Sequence, residues 1–334
     1  MDGQTGQRSG GVSLSQWRAA KPGLLAKLDV LRPFDPWSSP MCTCPPKLSL
    51  DVYSGCGYEC VYCYVSAYNP RYWGFERVRP KRDLLRRLQR DIARIFQRPE
   101  FELVRRLPVA ISNSSDPYPA APGADEARLG LTRAALQTLA EAGFPLLITT
   151  KSGLVVRDLD VLERVPSVVA ITITTLDEEK ARRLEPRAPG PRERLQALQQ
   201  AARRVPAVCR IDPIIPGIND AEDELAAIVE ACASAGVRHV IASTYKYRPD
   251  NFRRIEAIFP REAQRIRDLL DTSRRISGYW YLRREIRLEM LSRLRRLVES
   301  AGMSFSVCRE GLPELLGPGC DGQHLLRPQP GEPP

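Results

Sequence analysis

The sequence predicts an α/β fold built from parallel βα units, and three observations support this prediction. Hydrophobic residues make up 43% and charged residues 27% of the 334 residues, with a mean hydropathy of -0.31, so the chain can bury a substantial core. Six short apolar segments of β-like composition alternate with helical segments between residues 48 and 244. Most of these strands are predominantly apolar, which is typical of parallel strands that are covered on both faces.

The six predicted units follow one another without a repeat or a low-complexity interruption. The predicted strands are residues 48–54, 109–112, 145–151, 168–175, 207–215 and 237–244. The predicted helices are residues 82–97, 126–142, 157–164, 177–184, 191–204 and 220–235. In the first helix, Leu84, Leu88 and Ile95 recur at helical spacing, and Gly236 directly follows the last helix as a stop signal.

The segments on either side of these units differ from them in composition. Residues 1–43 are rich in Gly, Ser, Gln and Pro, and we expect an N-terminal arm that is partly disordered. Residues 44–250 form the predicted core, and residues 251–326 form a helical C-terminal module. This module contains an arginine-dense helical region (261–299) with a break near 277–278, a short strand at 304–307 and a loop with two cysteines. Residues 327–334 are rich in proline and predict a disordered tail.

Composition and charge restrict the location and the partners of the protein. No apolar run approaches the ~20 residues that span a bilayer, and residues 1–11 contain no apolar signal core. We therefore expect a cytoplasmic protein without a membrane partner. Fifty basic residues, of which only seven are lysines, exceed forty acidic residues and give a net charge of +10. Such a surface attracts polyanions and makes nucleic acid a candidate partner, although an ordinary solvated surface is the alternative.

Two histidines and nine cysteines narrow the chemistry further. So few histidines disfavour His-based catalytic triads and His-rich metal sites. An odd number of cysteines in a reducing cytosol does not predict a disulfide framework. Cys209 and Cys232 fall on a predicted strand and an apolar helix face and are expected to lie in the core. The other seven lie in loops, where cysteines frequently act as ligands.

Three of these cysteines form a C-x3-C-x2-C motif directly after the first predicted strand, namely Cys56, Cys60 and Cys63. Thiolates at this spacing suit a soft metal or an iron–sulfur cluster. Structural zinc normally has four ligands, and no partner motif is nearby. Ligand sites in parallel βα folds lie at the carboxyl ends of strands, where this motif falls. The motif therefore predicts a cluster site, with zinc or coincidence as the alternative.

With an aromatic residue, Tyr62, before its third cysteine, the motif resembles that of the radical S-adenosylmethionine (SAM) superfamily. The resemblance covers residues 44–250 and implies a partial (β/α)6 barrel of the TIM type. It also implies a [4Fe–4S] cluster whose fourth iron binds SAM through the amino and carboxylate groups. SAM would be cleaved reductively to a 5′-deoxyadenosyl radical that abstracts hydrogen from the substrate, with electrons from a flavodoxin- or ferredoxin-type donor.

Longer stretches resemble one branch of that superfamily, the spore photoproduct lyase-like group known as "DNA repair photolyase". These stretches are residues 44–56, 112–119, 149–163, 171–195 and 211–220. The resemblance implies that seven side chains contact SAM. They are Ser114, Ser115 and Asp116 for the amino group, Lys151 for the carboxylate, Thr174 and Arg187 for the ribose or methionyl part, and Tyr62 for the adenine. Structural alternatives are a turn at 116–119, surface positions for the lysine and arginine, and an ordinary strand threonine.

One departure from this branch concerns the reaction. Spore photoproduct lyases return hydrogen to the repaired thymine through a cysteine between the cluster loop and the SAM-binding loop. No cysteine occurs here between Cys63 and Cys209. Repair of that lesion is therefore not expected from this sequence.

Four further cysteines, which we term the second cysteine set, lie outside the predicted units: Cys42, Cys44, Cys308 and Cys320. They would meet if the first strand and a strand after the sixth unit lie close together. The set then predicts an auxiliary iron–sulfur cluster or metal site, with His324 nearby as a further ligand. The alternative is that they are free thiols in loops, which are ordinary in a reducing compartment.

The substrate side is predicted at the rim after the sixth strand, where residues 245–248 combine aromatic and basic side chains. Aromatic Tyr279, Trp280 and Tyr281 and the arginine-rich region would extend a surface suited to bases and phosphates, unless they are a packed cluster and a solvated helix. Three hypotheses remain: a radical SAM enzyme acting on nucleic acid, a radical SAM enzyme acting on a peptide or small molecule, and a non-catalytic Fe–S or nucleic-acid-binding protein. The sequence predicts no oligomeric state.

Overall fold

An eight-stranded sheet organises the chain in the computed structural model, which describes residues 27–34, 39–65 and 77–326 together with residues 17, 19 and 23. Its strands are β1 Arg32–Pro33, β2 Leu48–Leu50, β3 Val109–Ile111, β4 Leu146–Thr150, β5 Ser167–Thr172, β6 Ala207–Ile214, β7 His239–Thr244 and β8 Ser304–Val307. The order in the sheet is the order in the chain, and β1 is antiparallel to β2 whereas all other neighbours are parallel. The predicted α/β fold with a mainly parallel sheet is confirmed.

Helices connect the strands as the hydrophobic spacing predicts. In the described residues they are α1 Leu84–Gln97, α2 Glu126–Leu129, α3 Leu131–Glu141, α4 Leu159–Leu162, α5 Glu178–Leu184, α6 Pro191–Ala202, α7 Glu222–Ser234, α8 Pro249–Ile258, α9 Pro260–Leu269 and α10 Arg284–Ser300. Gly130, with φ 63°, divides the single helix predicted for residues 126–142 into α2 and α3. None of these helices is long and apolar enough to cross a lipid bilayer.

The two faces of the sheet bury different side chains. Leu48 and Leu50 of β2 point into the main core, which also contains Cys209 and Cys232 at 0% exposure. Residues on the opposite face form a row in register across the strands, namely Ser49, Ala110, Leu147 and Val168. Ala110, Leu147 and Val168 belong to a smaller apolar cluster that is covered by Leu325 and Leu326 near the end of the described chain. The sheet is therefore covered on both faces, as the apolar composition of its strands predicts.

The C-terminal module differs from the prediction in one respect. Residues 261–299 were expected to be helical with a break near 277–278, but residues 270–283 between α9 and α10 are extended and irregular. Ser277 (φ 51°) and Gly278 (φ 85°) adopt left-handed backbone conformations, and Trp280 pairs with Tyr247 in an antiparallel bridge. Aromatic residues favour such β-like pairing over a helix. The predicted strand at residues 304–307 is confirmed as β8.

The chain ends were predicted to be an arm and a tail. The predicted arm comprises residues 1–43, and residues 29–33 of it pack on the sheet. Arg32–Pro33 forms β1, and the buried Asp91 of α1 accepts hydrogen bonds from the backbone of residues 29–31. The proline-rich tail at residues 327–334 lies outside the described residues.

Candidate metal centre and cofactor site

The cysteine loop, residues 55–63, follows β2 at the carboxyl edge of the sheet. Gly55 turns the chain away from the strand with φ 84°, a conformation that favours glycine. Two helices hold the end of the loop in place. The backbone N–H of Val61 donates to the Leu184 carbonyl of α5 at 2.9 Å, and the Arg254 side chain of α8 donates to the Cys63 carbonyl at 2.5 Å. The three cysteines are thus displayed from a loop that is anchored to the helical layer.

The three cysteines of this loop are half-buried. Burial raises the pKa of the Cys56 thiol to about 12 and also raises the pKa of Cys60, so both are protonated at neutral pH in the absence of a metal. Iron binding would therefore displace protons, as it does for thiolate ligands in general. In residues 27–34, 39–65 and 77–326, no three His, Cys, Asp or Glu side chains are arranged to hold a single metal ion. A [4Fe–4S] cluster does not need that arrangement, because each cysteine binds a different iron. Three thiols on one anchored loop therefore fit a cluster better than a mononuclear ion.

Glu185, which the sequence analysis did not single out, is the centre of a buried polar network beside the cysteine loop. The Tyr62 hydroxyl donates a hydrogen bond to its carboxylate, and Thr174 Oγ1 donates to Glu185 Oε1 at 3.2 Å. The Lys151 ammonium lies 3.9 Å from the same oxygen, and Arg194 forms an ion pair with the other oxygen. Burial alone would raise the pKa of Glu185, but Arg194 and Lys151 outweigh it and hold the pKa below its usual value. Three predicted SAM contacts, Tyr62, Lys151 and Thr174, thus converge on one carboxylate.

Asp116, the predicted partner of an amino group, ties β3 to β4 at the same edge of the sheet. Its carboxylate accepts hydrogen bonds from Thr150 Oγ1 at 2.8 Å and from the backbone N–H groups of Lys151 and Tyr118 at 2.8 and 2.9 Å. Burial raises the pKa of Asp116, although these donors oppose the shift. Because Asp116 fixes the backbone of Lys151, the two predicted contacts form one rigid unit.

Ser114 and Ser115 lie beside this unit in the loop after β3. Ser115 Oγ donates to the Tyr53 carbonyl at 3.4 Å, and the Ser114 N–H lies 3.4 Å from Asp51 Oδ1. Both serines therefore face the segment that joins β2 to the cysteine loop. The structure brings them to the same edge as Asp116, as the sequence predicts.

Arg187 is separated from the network around Glu185. Its side chain is 64% exposed, and its guanidinium pairs with Glu59 of the cysteine loop at 3.2 Å. The arginine that enters the interior is instead Arg194, which is 2% exposed. Both residues lie in the same stretch of sequence, so the sequence offered no means of telling the buried arginine from the exposed one.

The second cysteine set is partly assembled. Cys44 and Cys320 lie with their Sγ atoms 3.3 Å apart, although 276 residues separate them in the chain. Hydrogen bonds from Cys320 and Cys42 lower the pKa of the Cys44 thiol, whereas burial raises the pKa of Cys308. His324 packs edge-on against His239, with ring centroids 4.6 Å apart.

The predicted substrate rim is more buried than the sequence suggests. Tyr279 and Tyr281 are 4% and 3% exposed, so they form the packed cluster that was the alternative to a surface patch. Trp280 is half-buried and carries Arg275 over its ring at 4.3 Å. Arg309 directly follows Cys308 of the second cysteine set, and its guanidinium lies over the Tyr279 ring at 5.1 Å. The buried Nε of Arg309 has no hydrogen-bond partner in the described part of the chain.

Comparisons with known proteins are consistent with this site. Residues 50–230 match the family model described as the radical SAM superfamily. An uncharacterized protein of Mycobacterium tuberculosis is 30% identical over 208 residues, which cover 59% of this chain and 58% of that protein. An uncharacterized protein of Acidianus two-tailed virus is 27% identical over 230 residues, covering 63% of this chain and 71% of that protein. The alignment thus spans about three-fifths of the length of the mycobacterial relative.

A solved structure of spore photoproduct lyase complexed with dinucleoside spore photoproduct superposes with a TM-score of 0.59 at 17% identity, covering 89% of this chain and 85% of that one. At this identity the likeness shows the fold alone. The family model, in contrast, covers more than half of the chain. The protein therefore belongs to the radical SAM superfamily and is an enzyme of that superfamily.

Proposed function

We propose that this enzyme binds a [4Fe–4S] cluster through Cys56, Cys60 and Cys63, cleaves SAM reductively and abstracts hydrogen from a nucleic-acid substrate. Membership of the superfamily implies the cluster, SAM and a reductant. The observation that carries the proposal is the convergence of Lys151 and Tyr62 on the Glu185 network beside the cysteine loop. We further infer that β2–β7 form the six-unit partial barrel around this site, and that the reductant is a flavodoxin- or ferredoxin-type protein.

The residues around the cysteine loop have the chemistry to bind a zwitterion. In our proposal the Lys151 ammonium neutralises the carboxylate of SAM, and Asp116 with Ser114 and Ser115 accepts from its amino group. Burial of Lys151 favours a carboxylate partner, because an ion pair is stronger where water is excluded. A [4Fe–4S] cluster held by Cys56, Cys60 and Cys63 would supply the electron for reductive cleavage of the bound SAM.

The remaining predicted contacts act on the nucleoside side of SAM in this proposal. In this proposal the Tyr62 ring, whose centroid lies 5.8 Å from Lys151 Nζ, contacts the adenine. Thr174 contacts the ribose or methionyl part from the end of β5. Arg187 approaches from the surface, where its pair with Glu59 joins it to the cysteine loop.

The decisive test is formation of 5′-deoxyadenosine from SAM by anaerobically reconstituted, reduced protein. We expect formation by the wild type and none by a variant in which Cys56, Cys60 and Cys63 are all replaced by alanine. Cys232→Ala serves as the control, because this thiol lies in the main core away from the loop. Wild-type protein that carries the cluster but forms no 5′-deoxyadenosine would support the non-catalytic hypothesis.

A nucleic-acid substrate is the finer part of the proposal. It is supported by the net charge of +10 and by the structural likeness to an enzyme solved with a dinucleoside photoproduct. A peptide or small molecule is the alternative. Because no cysteine lies between Cys63 and Cys209, we propose a reaction other than spore photoproduct repair. Incubation with deuterated candidate substrates identifies the class, since the label must appear in 5′-deoxyadenosine.

A second proposal concerns the second cysteine set, which we propose binds an auxiliary iron–sulfur cluster. The supporting observation is the approach of Cys44 to Cys320, whose Sγ atoms lie 3.3 Å apart although 276 residues separate them in the chain. The test is the iron content of the reconstituted protein in which Cys56, Cys60 and Cys63 are replaced by alanine. Retained iron that disappears on the further change Cys320→Ala supports the auxiliary cluster. Complete loss of iron in the first variant contradicts it.

A further inference from the structure

A polar cavity of about 330 Å³ lies between the segment before β1, the end of β2 and the segment before α1. We term it the edge cavity, and the residues that define it are Asp29, Arg32, Asp51, Ser54, Lys81 and Arg87. Its volume is sufficient for a small ligand or for part of a larger one. None of these residues is used by the proposed SAM site.

Part of the lining of the edge cavity, namely Arg32, Ser49 and Asp51, belongs to the second face of the sheet, the face opposite the main core. Arg32 of β1 pairs in register with Ser49 of β2, so the two side chains lie on the same face. Ser49 in turn pairs with Ala110, which belongs to the apolar cluster of the second face. Asp51 connects the cavity to the proposed SAM site, because it lies 3.4 Å from the Ser114 N–H. A group bound in the cavity would thus lie at the same edge of the sheet as SAM.

The charges around the edge cavity are unbalanced. Arg87 and Asp29 neutralise each other in a two-point ion pair with distances of 2.7 and 2.5 Å. Arg32 donates from its Nε to the Asp29 carbonyl at 3.2 Å, and its terminal nitrogens have no partner among the described residues. The Lys81 ammonium has no hydrogen bond or ion pair to any other part of the described chain. Counting Asp51 as the remaining acid, the cavity carries one uncompensated positive charge.

Lys81 is the side chain in this cavity that most needs a ligand. Burial lowers the pKa of its ammonium, Asp51 opposes that shift, and the positive charges of Arg87 and Arg32 add to it. A partly buried cation beside two guanidinium groups is unfavourable unless an anion binds. Ser49 Oγ accepts from Asn113 Nδ2 at 2.8 Å. Its hydroxyl hydrogen has no acceptor in the part of the chain that the structure describes, so Ser49 can donate to a ligand.

We propose that the edge cavity binds one phosphodiester group of a nucleic-acid substrate. One phosphodiester carries a single negative charge, which matches the uncompensated charge of the cavity. The terminal nitrogens of Arg32 and the ammonium of Lys81 supply charge-assisted donors to its oxygens. This inference rests on the proposed nucleic-acid substrate and assigns residues that hold it beside SAM.

Binding of a fluorescein-labelled single-stranded oligonucleotide to the reconstituted full-length protein, measured by anisotropy over a series of salt concentrations, tests the proposal. For single strands, the logarithm of the affinity falls with the logarithm of salt by about 0.7 per neutralised phosphate. We expect Lys81→Ala to weaken binding and to make this slope shallower by about 0.7, and Lys81→Arg to restore both. Arg203→Ala is the matched control, because Arg203 is exposed at the opposite edge, between α6 and β6.

Each outcome has a defined meaning. A Lys81→Ala slope equal to that of Arg203→Ala overturns the proposal. If the wild type binds inorganic phosphate alone through Lys81 in calorimetry but does not bind the oligonucleotide, the phosphate site stands and the nucleic-acid source is wrong. Formation of 5′-deoxyadenosine is measured separately on the wild type. Protein that binds the oligonucleotide through Lys81 but forms none contradicts the proposed function and leaves the phosphate site intact.

Discussion

Glu185 and Arg194 form an ion pair from which water is excluded, with side chains that are 0% and 2% exposed. The two residues lie at the end of α5 and within α6, and Arg194 also donates to the carbonyl of Thr172 on β5. The pair therefore couples two helices to the strand that ends at the proposed SAM site. Since Tyr62 donates to the same carboxylate, the pair also determines where the end of the cysteine loop lies.

The first prediction concerns the stability that depends on this pair. Arg194→Met leaves the Glu185 carboxylate buried without its main partner, and we expect the free energy of unfolding to fall by about 3–5 kcal/mol. Urea unfolding followed by circular dichroism measures it. Arg204→Met is the control, because its pair with Glu163 is 42% and 37% exposed and should contribute about 1 kcal/mol or less. Equal losses in the two variants would show that the buried pair has no special role.

The second prediction concerns SAM affinity. A hydrogen bond between charged groups contributes about 1.5–3 kcal/mol, so Lys151→Met should weaken SAM binding by about 10- to 100-fold while the iron content stays constant. Equilibrium dialysis with the reconstituted protein measures the affinity. Lys180→Met should leave the affinity unchanged, because Lys180 is not one of the proposed SAM contacts. Its ammonium forms an ion pair with Glu224, with an N–O distance of 2.6 Å. An unaltered affinity in Lys151→Met would refute the role assigned to Lys151.

The third prediction concerns the segment that borders the edge cavity. The Asp91 carboxylate is 0% exposed and accepts hydrogen bonds from the backbone N–H groups of Asp29, Val30 and Leu31 at 2.7 to 3.0 Å. In Asp91→Asn an amide oxygen at the Oδ2 position still accepts from these donors, but the negative charge is lost and an NH2 replaces Oδ1, which lies 3.6 Å from the Arg94 guanidinium. Because hydrogen bonds to a charged acceptor are stronger than those to a neutral one, we expect a loss of about 1–2 kcal/mol in stability with faster amide exchange at residues 29–31. Asp83→Asn, at a position that is 47% exposed, should change neither quantity. Unchanged exchange at residues 29–31 in Asp91→Asn would rule out this anchoring.

The fourth prediction concerns pH. Burial lowers the pKa of His239 to about 4, with the charge of His324 as a smaller cause. Its Nε2 lies 2.9 Å from the Gly319 carbonyl, which only accepts, so Nε2 carries the proton and Nδ1 is the unprotonated nitrogen. The unfolded chain binds a proton near pH 6.5, whereas the folded chain does so only near pH 4. The contribution of neutral His239 to the free energy of unfolding is therefore fully present above pH ~6.5. It is lost as the pH falls toward 4, by up to about 1.4 kcal/mol per pH unit.

Comparison of the wild type with His239→Gln isolates this contribution. Urea unfolding over that pH range should show a steeper loss in the wild type, because carboxylates titrate equally in both proteins. Parallel pH profiles would mean that His239 is not held neutral by the fold.

Local sequence signals were sufficient for most of the sheet. The strands β4, β5 and β7 are rich in apolar residues and almost wholly buried, and such runs are only stable when both faces are covered. The strand Arg32–Pro33 could not be predicted, because two residues that include a proline carry no periodic signal. The irregular segment at 270–283 was missed because the arginine-rich spacing on either side matches a helix, while its actual conformation depends on pairing with Tyr247.

The candidate site, like the sheet, could be predicted only in part from local sequence signals. The three cysteines are contiguous in sequence, so a motif identifies them. Glu185 and Arg194 could not be found, because a charged residue at a helix end is ordinarily solvated and only tertiary packing excludes water from it. The exposed Arg187 and the buried Arg194 are seven positions apart, and nothing local distinguishes them.

The sequential order of the sheet has a consequence for how the molecule is synthesised. Each strand from β2 to β8 pairs with the strand that leaves the ribosome just before it, so a growing chain always has an available edge to extend. The meeting of Cys44 with Cys320 is different, because it must wait until almost all of the described chain has emerged. Arrested chains that lack residues 304–326 should therefore assemble most of the sheet and leave its second face uncovered. Such intermediates would expose apolar surface to chaperones at a defined stage of translation.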